Sequence, residues 1–129
     1  MRLASDREIA VVGWLVTYGA VPGSDPAALA GLEPTIKDLK VVKTCNCGCP
    51  TVDFVEKGAG APYRILAEAI ANTPDAHMEF ILWGSGEALT ALEVVVYGKD
   101  GKTNRSLPSP DLLRTWEKAG EELRDRHDH

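Results

Sequence analysis

Apolar residues recur at every second position through the middle of the chain and at every third or fourth position near its start. Met78, Phe80 and Leu82 alternate with Glu79, Ile81 and Trp83, the period of a half-buried strand, until Gly84-Ser85-Gly86 interrupts it. Leu89 to Tyr97 repeats the pattern, with Leu92, Val94 and Val96 on one side and Glu93, Val95 and Tyr97 on the other, before Gly98-Lys99-Asp100-Gly101 turns the chain. The pair predicts an antiparallel hairpin. Asn72-Thr73-Pro74-Asp75 is turn chemistry ahead of it. Tyr63 to Ala71 suits either a helix or a strand, and a strand is preferred because it joins the hairpin without a long crossover.

Ile9, Val12, Leu15 and Val16 share one helical face, and Ser5-Asp6-Arg7-Glu8 before them has the form of a capping box. A helix is predicted from there to Gly19. Asp25 and Pro26 read as the cap and first residue of a short second helix through about Leu32. Val41, Val42 and Thr44, then Thr51, Val52, Phe54 and Val55, predict two strands joined by a tight cysteine-rich connection. Lys57-Gly58-Ala59-Gly60-Ala61-Pro62 reads as a loop. Ser109-Pro110-Asp111 predicts the start of a C-terminal helix to about Leu123, with Leu112, Leu113, Trp116 and Ala119 facing inward. The polar end, 121–129, is expected to fray.

These elements predict one α+β domain over residues 1–129: a mostly antiparallel sheet of four or five strands, covered on one face by the N-terminal and C-terminal helices. Forty-four per cent apolar and 26 per cent charged residues fit a packed globular core and exclude wholesale disorder. No stretch approaches the roughly 20 apolar residues of a membrane span, and Ile9 to Val16 is too short and poorly flanked for a signal peptide. With 14 basic against 19 acidic residues the formal charge is −5, which disfavours nucleic acid, since phosphate binding rests on Lys and Arg. Three cysteines, an odd number in one short stretch, fit a reducing cytoplasm better than a secreted disulfide framework.

Cys45, Cys47 and Cys49 are the densest chemical feature. In an extended strand their sulfurs would share one side, and a turn at Asn46 or Gly48 would let them converge on one ion. A closed zinc site takes four ligands, the fourth here being His77 or a carboxylate such as Asp53. Two other readings stand beside that one: buried thiols acting as small hydrophobes, and redox or nucleophilic work, for which Lys43 is the only cation close in sequence. His77 lies beside Asp75 with no nucleophile tied to it, and His127 and His129 fall on the polar tail. Gly84-Ser85-Gly86 lacks the spacing of a nucleophile elbow, and Gly58, Gly60 and Pro62 lack that of a phosphate loop. No catalytic residue is assigned. Glu79, Glu87 and Glu93 gather around the central hairpin near Trp83 and Tyr97, and together predict an acidic, aromatic face suited to a basic protein partner.

The order of elements resembles that of small bacterial proteins of uncharacterised function. The resemblance rests on the Arg7-Glu8 to Leu15 helix, on Cys47-Gly48-Cys49-Pro50-Thr51-Val52-Asp53, on Leu92-Glu93-Val94 and on the Leu107-Pro108-Ser109-Pro110 lead-in to the last helix. It implies a compact bacterial domain. In size and acidity the chain is also similar to immunity proteins that block toxins. The expected function is therefore a non-enzymatic, cytoplasmic binding module of immunity or inhibitor type, with a metal-binding or thiol-dependent protein built on the cysteines as the alternative.

Overall fold

The computed structural model describes residues 1–46, 48–56, 63–85, 87–98 and 106–119. Their elements run β1 (Arg2–Leu3), α1 (Asp6–Tyr18), α2 (Pro26–Ile36), β2 (Lys40–Val41), β3 (Lys43–Thr44), β4 (Val52–Asp53), β5 (Arg64–Asn72), β6 (Ala76–Gly84), β7 (Leu89–Gly98) and a 3-10 turn (Pro110–Leu112). Five strands form one wholly antiparallel sheet in the order β3-β4-β7-β6-β5, and β1 pairs with β2 in a separate ladder. The fold is α+β, as the alternation of the hairpin and the caps of the helices imply.

The β6–β7 register explains the sheet's two faces. Met78 pairs with Val96, Phe80 with Val94 and Leu82 with Leu92, and on the flanking strand Ala67, Ala69 and Ala71 stand opposite Leu82, Phe80 and Met78. All of these but Val96, which packs half-buried against them, join Val11, Val12, Leu15 and Leu113 in the core, with Phe80, Met78 and Leu82 almost wholly enclosed. Small alanines on β5 let α1 approach it closely, and α2 packs in turn on α1. The segment predicted from Tyr63 to Ala71 forms the strand Arg64–Asn72, the alternative preferred above. A register shift between Ile65 and Ala67 puts both Leu66 and Ala67 among the buried residues.

Both N-terminal caps form as predicted. The Ser5 hydroxyl accepts from the Glu8 amide and the Asp25 side chain accepts from the Ala27 amide, with Pro26 in the first turn. Val12, Leu15 and Val16 are buried as the helical face predicts, Ile9 packs half-buried against the same core, and Val11 joins them fully enclosed. The second helix passes the expected end at Leu32 and continues through Pro34 to Ile36, whose side chain is buried in the core. Pro34 is exposed, and burial of Leu32 and Ile36 on either side of it outweighs the lost amide.

The C-terminal helix departs from expectation. Ser109 does cap a turn, but that turn is one 3-10 unit, and Leu113 returns to extended backbone. Arg114 then exchanges two 2.9 Å backbone hydrogen bonds with Ile70 of β5. Pairing with the open side of the strand breaks the helix in two, and residues 116–119 resume it after Thr115, whose hydroxyl accepts from the Lys118 amide. Leu112 and Trp116, expected inside, are 43% and 49% exposed, whereas Leu113 is buried as predicted. The continuation to Leu123, the fraying tail 121–129, the loop Lys57 to Pro62 and the turn from Lys99 to Gly101 lie outside the described residues.

Glu8 fixes the N-terminus. It is 5% exposed, and Arg2 donates to it through both terminal guanidinium nitrogens at 2.7 and 3.0 Å while the Ser5 amide donates at 2.7 Å. Burial pushes the carboxyl up, but Arg2 and Ser5 outweigh burial and hold it below its ordinary value of 4.5. A carboxylate of this kind adds stability that is present above its unfolded pKa and lost as pH falls through the folded one. Glu8→Gln is therefore expected to cost about 1–2 kcal/mol at neutral pH. The difference from wild type should shrink as the pH drops below 4.5, read by urea unfolding at several pH values.

Candidate functional site

The face of the sheet turned away from α1 carries the second set of alternating residues. From β5 to β7 the opposed positions are Ile65, Trp83 and Ala91, then Glu68, Ile81 and Glu93, then Ile70, Glu79 and Val95, and finally Asn72, His77 and Tyr97. Ile81, Trp83 and Val95 are half-buried and Tyr97 is 54% exposed. Ile70 is buried apart from the main core, next to the point where Arg114 pairs with the strand.

The structure brings four of the five expected partner-binding residues onto this face. The Trp83 indole N–H donates to Glu93 Oε1 at 2.9 Å, which fixes the ring and occupies one carboxylate oxygen. Glu79 Oε1 lies 3.6 Å from His77 Nε2, and the His77 ring meets Tyr97 with centroids 5.8 Å apart. Glu87 is exposed, but it sits in the β6–β7 connection, where the Ser85 hydroxyl accepts from its amide, and so marks the rim of the sheet.

A groove of about 550 Å³ crosses this face at the β4 side, lined by Cys45, Cys49, Asp53, Trp83, Glu93 and Val95 among others. The strand register accounts for the thiols. Lys43 stands opposite Asp53 and Thr44 opposite Val52, and the Cys45 amide continues the ladder to the Thr51 carbonyl at 3.3 Å. The chain then turns at Asn46, with the Gly48 amide donating to the Cys45 carbonyl at 3.2 Å. Gly48 has φ +87°, a conformation side-chain-bearing residues rarely take. The turn is the one anticipated at Asn46 or Gly48, and it delivers Cys45 and Cys49, both half-buried, to one groove.

Cys47 lies outside the described residues. Among those described, no three His, Cys, Asp or Glu side chains gather as a metal group. His77, the expected fourth zinc ligand, is not among the residues lining the groove. Its Nδ1 lies 2.7 Å from Asn72 Oδ1 at the other end of β6 from Trp83. Asp53, the other ligand considered, does line it.

Thr51 is the residue that sequence reasoning missed. Its hydroxyl accepts from the Val94 amide at 2.9 Å and donates to the Val94 carbonyl at 3.2 Å, so a side chain completes the β4–β7 ladder beyond Val52. The β-branched threonine after Pro50 signalled a strand but not a side chain in place of backbone pairing.

Among the described residues no helix is long and apolar enough to cross a membrane. No protein-family model matches the chain, and comparison with curated proteins and with solved structures gave no significant match. The site must accordingly be read from its own chemistry. Thr51→Val is expected to strip the Val94 amide of its partner and cost about 1–3 kcal/mol. Faster amide exchange confined to Val94 and its β4 neighbours would identify that bond as the source.

Proposed function

We propose that the protein is a non-enzymatic binding module of the cytoplasm, of immunity or inhibitor type, which docks a basic protein partner on the outer face of the β5–β6–β7 sheet. The observation that carries this reading is the make-up of that face. Acidic Glu68, Glu79 and Glu93 alternate with Ile81, Trp83 and Val95 on a rigid antiparallel ladder, and Tyr97 stands exposed beside them. Aromatic and aliphatic side chains supply contact area, and the acids steer a basic surface toward it. The bond from Trp83 to Glu93 holds the largest ring in place before any partner arrives, which lowers the entropic cost of docking. The likeness in size and acidity to immunity proteins points the same way.

The test is to capture the partner with the immobilised full chain and then measure its affinity for Glu79→Lys/Glu87→Lys/Glu93→Lys and for Trp83→Ala. Each variant is expected to weaken binding by at least about tenfold, the charge reversal chiefly through a slower, salt-dependent on-rate. Unchanged affinity in variants that keep the wild-type circular dichroism would refute the proposed face.

A second reading is favoured by Cys45 and Cys49 lining one groove with Asp53. In this reading the cysteine cluster, Cys47 included, holds zinc or carries thiol chemistry. Purified protein is then expected to contain close to one equivalent of zinc, lost in Cys45→Ser and Cys49→Ser, or to lose an activity in the same variants. Less than a few tenths of an equivalent, with the fold indifferent to chelator, would remove the metal form of this reading.

A further inference from the structure

A second groove, of about 520 Å³, lies along the outer side of β5. One wall is the α1–α2 connection and the other is the segment after the 3-10 turn; Tyr18, Pro22, Pro26, Glu68, Trp116 and Glu117 line it. Tyr18 is 64% exposed and Trp116 49%. These are large aromatic surfaces left in water, although neither belongs to the face described above.

Both walls are hydrogen-bonded to the same strand, so the groove is built before anything enters it. Gly19 accepts from the Glu68 amide at 2.9 Å, Val21 donates to the Leu66 carbonyl at 3.2 Å, and the Ser24 hydroxyl donates to that carbonyl at 3.0 Å. Opposite, Arg114 is tied to Ile70 in both directions. A Cβ on Gly19 would lie 2.9 Å from the Glu68 carbonyl oxygen, so only glycine lets the first wall come this near. The Tyr18 ring is itself supported by Trp14, at a centroid distance of 5.4 Å.

Among the described residues the lining includes two carboxylates, Glu68 and Glu117, and no Lys or Arg. Lys118 and Arg114, nearby in sequence, are not among them. Exposed rings with carboxylates beside them are complementary to a cation that is flat enough to stack. Guanidinium meets that description better than ammonium, because it stacks on aromatic faces, is weakly hydrated and pairs with a carboxylate through a planar fork.

We propose that this groove binds an arginine side chain presented on a peptide segment of a partner protein. The ring faces of Tyr18 and Trp116 take the guanidinium plane, and Glu68 and Glu117 take its N–H groups.

The test titrates the uniformly 15N-labelled full chain with acetyl-Gly-Arg-Gly-amide, followed by the lysine and citrulline versions of the same peptide. Saturable amide shifts are expected from Gly19 to Ser24 and from Thr115 to Glu117. Affinity is expected to fall severalfold with lysine and on the order of tenfold or more with neutral citrulline. Trp116→Ala and Tyr18→Ala should abolish the shifts and Trp116→Phe should keep them; both positions are exposed enough that the fold should survive, which the unperturbed remainder of each spectrum checks. Trp83→Ala, which removes the outer face's largest ring without changing the charge, should leave the titration unchanged, so failure here is distinguishable from failure of the outer-face proposal. Equal response to citrulline, shifts centred elsewhere, or no saturable response would overturn the assignment.

Discussion

The architecture depends on the strict two-residue period of β6 and β7. Because every second side chain of these strands is large and apolar, one face of the sheet must be dry, and Phe80, Met78, Leu82 and Leu92 make it so against Val11, Val12 and Leu15 of the first helix. A slip of one residue in the hairpin would turn Glu79 and Glu93 into that core and is forbidden by the cost of burying them. The same constraint assigns the remaining positions to the opposite face. Its charge and aromatic content are thus consequences of the register that builds the core.

The N-terminus is held by different physics. Arg2 and Glu8 meet across the start of α1, and the carboxylate accepts from both the guanidinium and the Ser5 amide, so one buried acid joins β1, the cap and the first helical turn. Arg2 is half-exposed at 48%, and the pair draws strength from the number of its hydrogen bonds more than from bare Coulomb attraction. With Ala4 donating to the Leu39 carbonyl, this arrangement brings β1 beside β2 and places the chain's start near the cysteine turn.

Much of the fold was legible because local signals and burial agree. The Ser5–Glu8 box, the Asp25-Pro26 cap and the alternation from Met78 to Tyr97 each specify an element by themselves. The C-terminal segment was misread for a definable reason: Ser109-Pro110-Asp111 does start a turn, but the backbone groups of Ile70 on β5 compete for Arg114, and no local pattern encodes a partner 44 positions away. Two-residue β1 and β2 carry too few residues for any periodicity. For the site, the sequence showed which side chains share the outer face, since register decides that. It did not show the Trp83–Glu93 bond, the placing of Glu87 at the rim, or the groove of Tyr18 and Trp116, which exists only because two loops lie along one strand.

That arrangement of β5 also bears on self-association. A nine-residue strand at the margin of a sheet is a template on which another copy of the chain can grow. Here the backbone of Ala20 and of Arg114 already occupies stretches of it, while at the far margin β3 offers only Lys43 and Thr44. An incoming strand finds an interrupted ladder at one side and a short, lysine-bearing stub at the other, so the same loops that shape the groove also disfavour strand addition along β5.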